Sequence, residues 1–121
     1  MPEIIITSVV GQAPNLYVDI PLQTGRTFGL VAGDRIKCKF LTMIDKRRNV
    51  VEIDQDVTWT MNESWRTGAR EENTLGIPNE VVQTYGIREF DRIELILEKV
   101  IKAGTEEELE IYPKRLVETH V

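Results

Sequence analysis

The sequence predicts a mainly β fold with two short helices, and three observations carry that prediction. The chain matches itself at an offset of 57 residues, from Ile20 onto Ile77. Two segments, one in each matching stretch, alternate apolar and polar side chains with a period of two, the pattern of a half-buried strand. Each of those segments follows an Ile-Pro step and a glycine eight residues after the proline, a bracket that suits a helix of two turns.

The self-match sets the organisation. "IPLQTGRTFGLVAGDRI" begins at Ile20 and "IPNEVVQTYGIREFDRI" at Ile77. Pro21 falls on Pro78, Thr27 on Thr84, Gly29 on Gly86, and Asp34-Arg35-Ile36 on Asp91-Arg92-Ile93. Phe28 with Tyr85, Leu30 with Ile87, Cys38 with Leu95 and Phe40 with Leu97 are conservative pairs. Upstream, the same offset lays Gly11 on Gly68; downstream, one extra residue brings Val50–Ile53 onto Glu108–Ile111. Two repeats, about 3–58 and 60–113, are therefore expected. Two copies of so long a unit point to an intramolecular pseudo-dimer, since a solenoid needs three or more. No low-complexity linker separates them, so residues 1–121 read as a single domain whose repeats share one core.

Within each repeat the order is strand, loop, strand, short helix, strand, hairpin, strand. "NLYVDI" and "NTLGI" are short apolar runs stopped by a proline, which has no N–H to give to a ladder. Pro21 and Pro78 then stand in the first turn of helices "LQTGRTF" and "NEVVQTY", closed by Gly29 and Gly86 with positive φ. Ile36, Cys38 and Phe40 face inward against Arg35, Lys37 and Lys39; Ile93, Leu95 and Leu97 face inward against Arg92, Glu94, Ile96 and Glu98. "DKRRN" and "KAGTEEE" are hairpin turns leading to the last strand of each repeat, and the fourth strand of the first repeat runs on into the first strand of the second.

Composition bounds the function. At 121 residues, with 41% hydrophobic and 29% charged side chains, the chain has the make-up of a soluble globular domain. No apolar run approaches the length of a membrane span, and "IIITSVVG" lacks the basic flank of a signal peptide. The single cysteine, Cys38, leaves no internal disulfide, in keeping with a reducing, cytoplasmic location. No membrane contact is expected.

Strand, Ile-Pro, short helix, Gly-Leu or Gly-Ile, an Asp-bearing turn and an alternating strand together resemble the AbrB/MazE/MraZ swapped-hairpin family. The resemblance rests on Asp19–Phe40 and Gly76–Leu97 and covers both halves, most like the tandem MraZ arrangement. It implies a swapped-hairpin, cradle-loop β-barrel with two short helices formed by internal duplication. It also implies a small DNA-binding transcriptional regulator, with double-stranded DNA as partner. The candidate phosphate contacts carried over are Arg26, Arg35, Lys37, Lys39, Arg66 and Arg70. DNA-binding members carry basic residues around the first hairpin and along the helix; here "GQAPN" has none, Val82 and Gln83 stand in the second helix, and Glu71 and Glu72 offset Arg66 and Arg70.

Charge supports a second function. Residues 1–60 hold seven basic and seven acidic side chains, whereas residues 61–121 hold eight and thirteen, which accounts for the net −5. Arg35, Lys37 and Lys39, with Lys46, Arg47 and Arg48 in the next turn, offer six cations in the first repeat, while the matching side of the second ends in "TEEELE". Cations on one face contact phosphates with a salt-dependent affinity. Opposed faces of unlike charge instead suit a protein partner or a head-to-tail homo-oligomer, in a module that keeps the barrel without DNA binding. The plainest reading of each face is solvated strand charge, worth under about 1 kcal/mol per pair.

Catalytic signals are few. His120 is the only histidine and lies next to last in the chain. Cys38 sits on the inward face with no histidine beside it, so it reads as a small core hydrophobe. No Cys/His set has zinc spacing, no glycine-rich phosphate loop is present, and no cofactor is expected. Asp34 and Asp91 recur at equivalent positions, where an aspartate accepts backbone N–H bonds in a turn. Trp59 and Trp65 flank the junction, with at least one expected in the core.

Overall fold

The computed structural model of the chain describes residues 3–62, 65–67 and 70–111; for 65–67 and 70–72 it describes the backbone. Gly68, His120 and the last residues of the second repeat lie outside the described residues. Eleven elements follow in order: β1 (Glu3–Gln12), β2 (Asn15–Asp19), α1 (Leu22–Phe28), β3 (Arg35–Ile44), β4 (Val50–Thr60), β5 (Trp65–Thr67), β6 (Arg70–Glu72), β7 (Thr74–Gly76), α2 (Asn79–Tyr85), β8 (Arg92–Ile101) and β9 (Glu108–Glu110). The fold is mainly β with two short helices, as the alternation and the Pro–Gly brackets predict.

β3 and β8, the two alternating segments, pair antiparallel along their whole length, Arg35 opposite Ile101 and Ile44 opposite Arg92. Their inward side chains, Ile36, Cys38, Phe40, Ile93, Leu95 and Leu97, are all fully buried. The sheet continues on both sides in the order β4-β3-β8-β1-β2-β7, with β9 extending the edge of β8 beyond β1. β1 changes partner midway: Glu3 to Ser8 pair with β8, and Val9 to Gln12 with β2. β5 and β6 form a separate two-stranded ribbon.

The sheet curls into a half-barrel, and its two edge strands come together. Met61, just past β4, bridges Leu75 of β7, and the Asn62 N–H donates to the Thr74 carbonyl at 2.9 Å. Inside lies one apolar cluster, with Trp59 and Tyr85 both edge-on to Phe40 at ring-centroid distances of 5.6 and 5.7 Å. Trp59 is the buried tryptophan expected at the junction.

Hydrogen bonds repeat across the two halves. Ile20 N–H donates to the Asn73 carbonyl at 2.9 Å and Ile77 N–H to the Leu16 carbonyl at 3.0 Å, so each half ties down the segment before the other's helix. Val9 N–H donates to the Asp91 carbonyl and Met61 N–H to the Asp34 carbonyl, both at 2.7 Å. Val9 and Met61 thus make like bonds 52 residues apart; Gly68, onto which the 57-residue offset lays Gly11, lies outside the described residues. The prolines stand one position earlier than expected. Pro21 and Pro78 are the N-caps, with φ of −52° and −58°, and the helices begin at the next residue. Gly29 and Gly86 close them at φ of 56° and 63°, in the left-handed region that favours glycine.

Candidate nucleic-acid interface

The six candidate phosphate contacts are spread over the molecule. Arg26 is exposed in the last turn of α1. Arg35, Lys37 and Lys39 line the outer face of β3, as the period of two requires, but carboxylates interleave with them. Arg35 donates to Glu106 at 2.7 Å, and Lys39 lies 3.9 Å from Asp54. Lys37 is exposed opposite Thr58 on one side and Lys99 on the other, while Lys99 approaches Glu108 and Glu110 at 3.9 and 3.7 Å. The first repeat therefore does not present six cations as one surface. Arg66 and Arg70 lie on the β5–β6 ribbon opposite Glu71 and Thr67; their side chains lie outside the described residues.

The cations that do converge come from two segments far apart in sequence. The β3–β4 turn contributes Lys46, Arg47 and Arg48, and the approach to β8 contributes Arg88 and Arg92. All five are exposed. Lys46, Arg47 and Arg88 line one cleft of about 620 Å3, and Lys46, Arg48 and Arg92 line a neighbouring one of about 470 Å3. The β3–β8 register brings them together, because Ile44 opposite Arg92 sets the turn after β3 beside the start of β8. The three-residue run is plain in the sequence; Arg88 and Arg92 join it only through that pairing. Lys46 also stands over the Phe90 ring at 5.4 Å, an exposed cation–π contact of about 0.5–1 kcal/mol.

Asp45 shapes this turn. Its Oδ1 accepts the N–H groups of Arg47 and Asn49 at 2.8 and 2.9 Å, and its Oδ2 accepts Asn49 Nδ2 at 3.1 Å. The Asn49 N–H holds the Asp45 carboxyl below the usual carboxylate range. That aspartate is committed to its own turn.

At the opposite end of the β3–β8 pair, about 30 Å away for a ten-residue strand, stands the corresponding turn, residues 102–107. Counting residues 45–50 with 86–92 gives five cations and three anions, a net +2. The corresponding segments 102–108 and 29–35 hold two cations and four anions, a net −2. The barrel has a basic pole and an acidic pole.

Asp34 and Asp91 are buried, and each accepts the N–H three residues before it, Val31 at 2.9 Å and Arg88 at 2.8 Å, as expected for aspartates that build turns. They sit in separate turns, one at each pole. Asp34 also accepts Lys102 Nζ and the Ala103 N–H. Burial pushes the Asp34 carboxyl up, but the Ala103 N–H, Lys102 and the Val31 N–H outweigh it and hold the pKa below the ordinary 3.8. Cys38 is buried, and desolvation pushes its thiol up to about 12, far from a reactive thiolate. Among the described residues no group of three His, Cys, Asp or Glu side chains has metal-binding geometry. Among them, too, no helix is long and apolar enough to cross a membrane.

Comparison with protein-family models, curated proteins and solved structures gives no match to this chain. The site therefore has to be read from its own geometry.

Proposed function

We propose that the chain is a duplicated swapped-hairpin barrel of the AbrB/MraZ type, one domain of two repeats, acting in the cytoplasm as a small DNA-binding regulator. The observation that carries the DNA reading is the basic pole: five exposed cations from residues 46–48, 88 and 92 gathered beside two clefts. The duplication is supported by the hydrogen bonds that recur across the two halves and by the β2–β7 register, in which Tyr17 opposite Gly76 is mirrored by Asp19 opposite Thr74 about Val18 and Leu75. A pole of this kind neutralises phosphates and displaces their counterions, so affinity falls with salt whatever the base sequence.

The test is fluorescence anisotropy with a mixed-sequence duplex at low salt and at about 200 mM, a range over which several phosphate contacts lose orders of magnitude in affinity. Binding that weakens steeply with salt is the expected result. An unchanged anisotropy at low salt rejects the DNA reading.

The acidic pole favours a second reading. A net −2 end facing a net +2 end suits head-to-tail association of copies, or a charged protein partner. Sedimentation at low salt separates the two, since the assembly reading requires association without DNA.

A further inference from the structure

The two poles differ in one contact that has chemical meaning. At the acidic pole the Lys102 ammonium sits in a cradle made by the end of α1 and a buried aspartate. It donates to the Gly29 carbonyl at 2.8 Å, the Phe28 carbonyl at 3.2 Å and Asp34 Oδ2 at 2.5 Å. The residue 57 positions before Lys102 is Asp45. At the basic pole the corresponding cradle is present: the end of α2 at Tyr85 and Gly86, and Asp91, 3% exposed. Among the described residues no ammonium bonds to it. Asp45 is held by its own turn, and that turn does not reach Asp91, whereas the longer turn at the other end donates Ala103 N–H to Asp34 Oδ1 at 2.8 Å. Asp91 Oδ2 accepts Arg88 N–H, and its Oδ1 takes no hydrogen bond among the described residues. In place of the lysine is the cleft of about 620 Å3, lined by Tyr85, Gly86 and Asp91 on the cradle side and by Lys46, Arg47 and Arg88 opposite.

We propose that this cleft binds a small primary amine that also carries carboxylates, a ligand of the acidic amino-acid class. Its ammonium takes the place that Lys102 holds at the other pole, donating to Asp91 and to the carbonyls at the end of α2. The rest of the ligand follows from charge. Lys46, Arg47 and Arg88 against Asp45 and Asp91 leave the lining at +1. A simple amine would meet net repulsion there, and a simple dianion would face the Asp91 carboxylate, whose Oδ1 opens on the cleft, with no donor to offer it. One ammonium with two carboxylates complements both sides, and the volume is within the range of small-molecule sites. The proposal is independent of DNA binding, because it rests on the cradle and is read without nucleic acid.

The experiment is titration of the 15N-labelled full-length protein with L-glutamate, glutarate and methylamine, following amide shifts at 45–49 and 85–91. L-Glutamate is expected to saturate with a Kd of about 1 mM or below, with glutarate, which lacks the ammonium, and methylamine, which lacks both carboxylates, each at least about tenfold weaker. Asp45→Lys, which restores a lysine where the other pole has one, is expected to abolish binding. Arg47→Ala, an exposed change that leaves the core untouched, is expected to weaken L-glutamate about tenfold while methylamine, relieved of one repelling cation, binds no more weakly than to the parent. Glutarate binding as tightly as L-glutamate would reduce the site to an anion cleft and overturn the proposal. So would Asp45→Lys or Arg47→Ala binding L-glutamate like the parent, or the absence of a saturable shift.

Discussion

Lys102 shows how one side chain closes a pole. Its ammonium satisfies two carbonyls at the end of α1 and neutralises Asp34, which is 0% exposed. Lysine near a helix C-terminus also meets the negative end of the helix dipole. Removing it leaves an uncompensated buried charge, so Lys102→Met is expected to destabilise the protein by about 3 kcal/mol at pH 7. The pH dependence follows from the lowered pKa of Asp34. A carboxyl whose folded pKa lies below its unfolded value contributes stability above the unfolded pKa and loses it as pH falls through the folded one. Without Lys102 the folded pKa rises, and protonation removes the buried charge at mild acidity. The variant's deficit should therefore be smaller at acid pH than at pH 7. Urea unfolding of both proteins at pH 7 and near pH 3.5 checks this; a deficit that stays constant would assign the loss to packing of the lysine stem.

At the scale of elements, the helices are where the two halves differ in packing. α1 carries Gly25 at its centre, a position where alanine ordinarily stabilises a helix by about 1 kcal/mol. Here a Cβ would stand 1.9 Å from Asn73 Nδ2 and 2.9 Å from Asn73 Cγ, and Asn73 is buried with its carbonyl held by Ile20. Gly25→Ala is accordingly expected to destabilise by about 1–3 kcal/mol through overpacking. Gly29→Ala, which meets nothing within 4 Å, pays only for its positive φ, about 1 kcal/mol. Thermal unfolding of the two single variants and of Gly25→Ala with Asn73→Ala is decisive, because the second change should restore much of the first loss.

The same elements show what the sequence carries. The strands β3 and β8 are legible because their alternation is a property of neighbouring residues, and both helices because proline and glycine act locally on φ. The change of partner along β1, from β8 to β2 after Ser8, was hidden, since a period-two pattern looks the same whichever strand lies beside it. Lys102 reads as part of a hairpin turn, and its ligands lie 68 to 74 residues away. The cations of β3 read correctly as a row, but Asp54 of β4 and Glu106 of the 102–107 turn reach them from elsewhere in the chain. The cleft at the basic pole was legible only in its cationic run, because Tyr85, Arg88 and Asp91 meet Lys46 and Arg47 only through the β3–β8 register.

For the whole molecule the separation of charge matters more than its sum. A net −5 works against a polyanion, yet phosphates respond to the nearest cations, because at physiological salt the far pole lies several Debye lengths away. If the basic pole is the DNA surface, at most five cations contribute, and log K against log salt has a slope no steeper than about −4.5 on duplex DNA. Arg47→Ala with Arg48→Ala should flatten it by about 2, and Lys37→Ala with Lys39→Ala should leave it unchanged. Anisotropy of the two double variants across a salt series separates the surfaces. If the β3 pair instead sets the slope, DNA lies across the sheet and the ion pairs of Lys39 with Asp54 and Arg35 with Glu106 must open to admit it. The affinity would then depend on the carboxylates too, so that Asp54→Asn and Glu106→Gln would tighten binding. A contact made by the pole leaves Glu106→Gln nearly silent at physiological salt, since Glu106 stands in the turn at the opposite end of the β3–β8 pair.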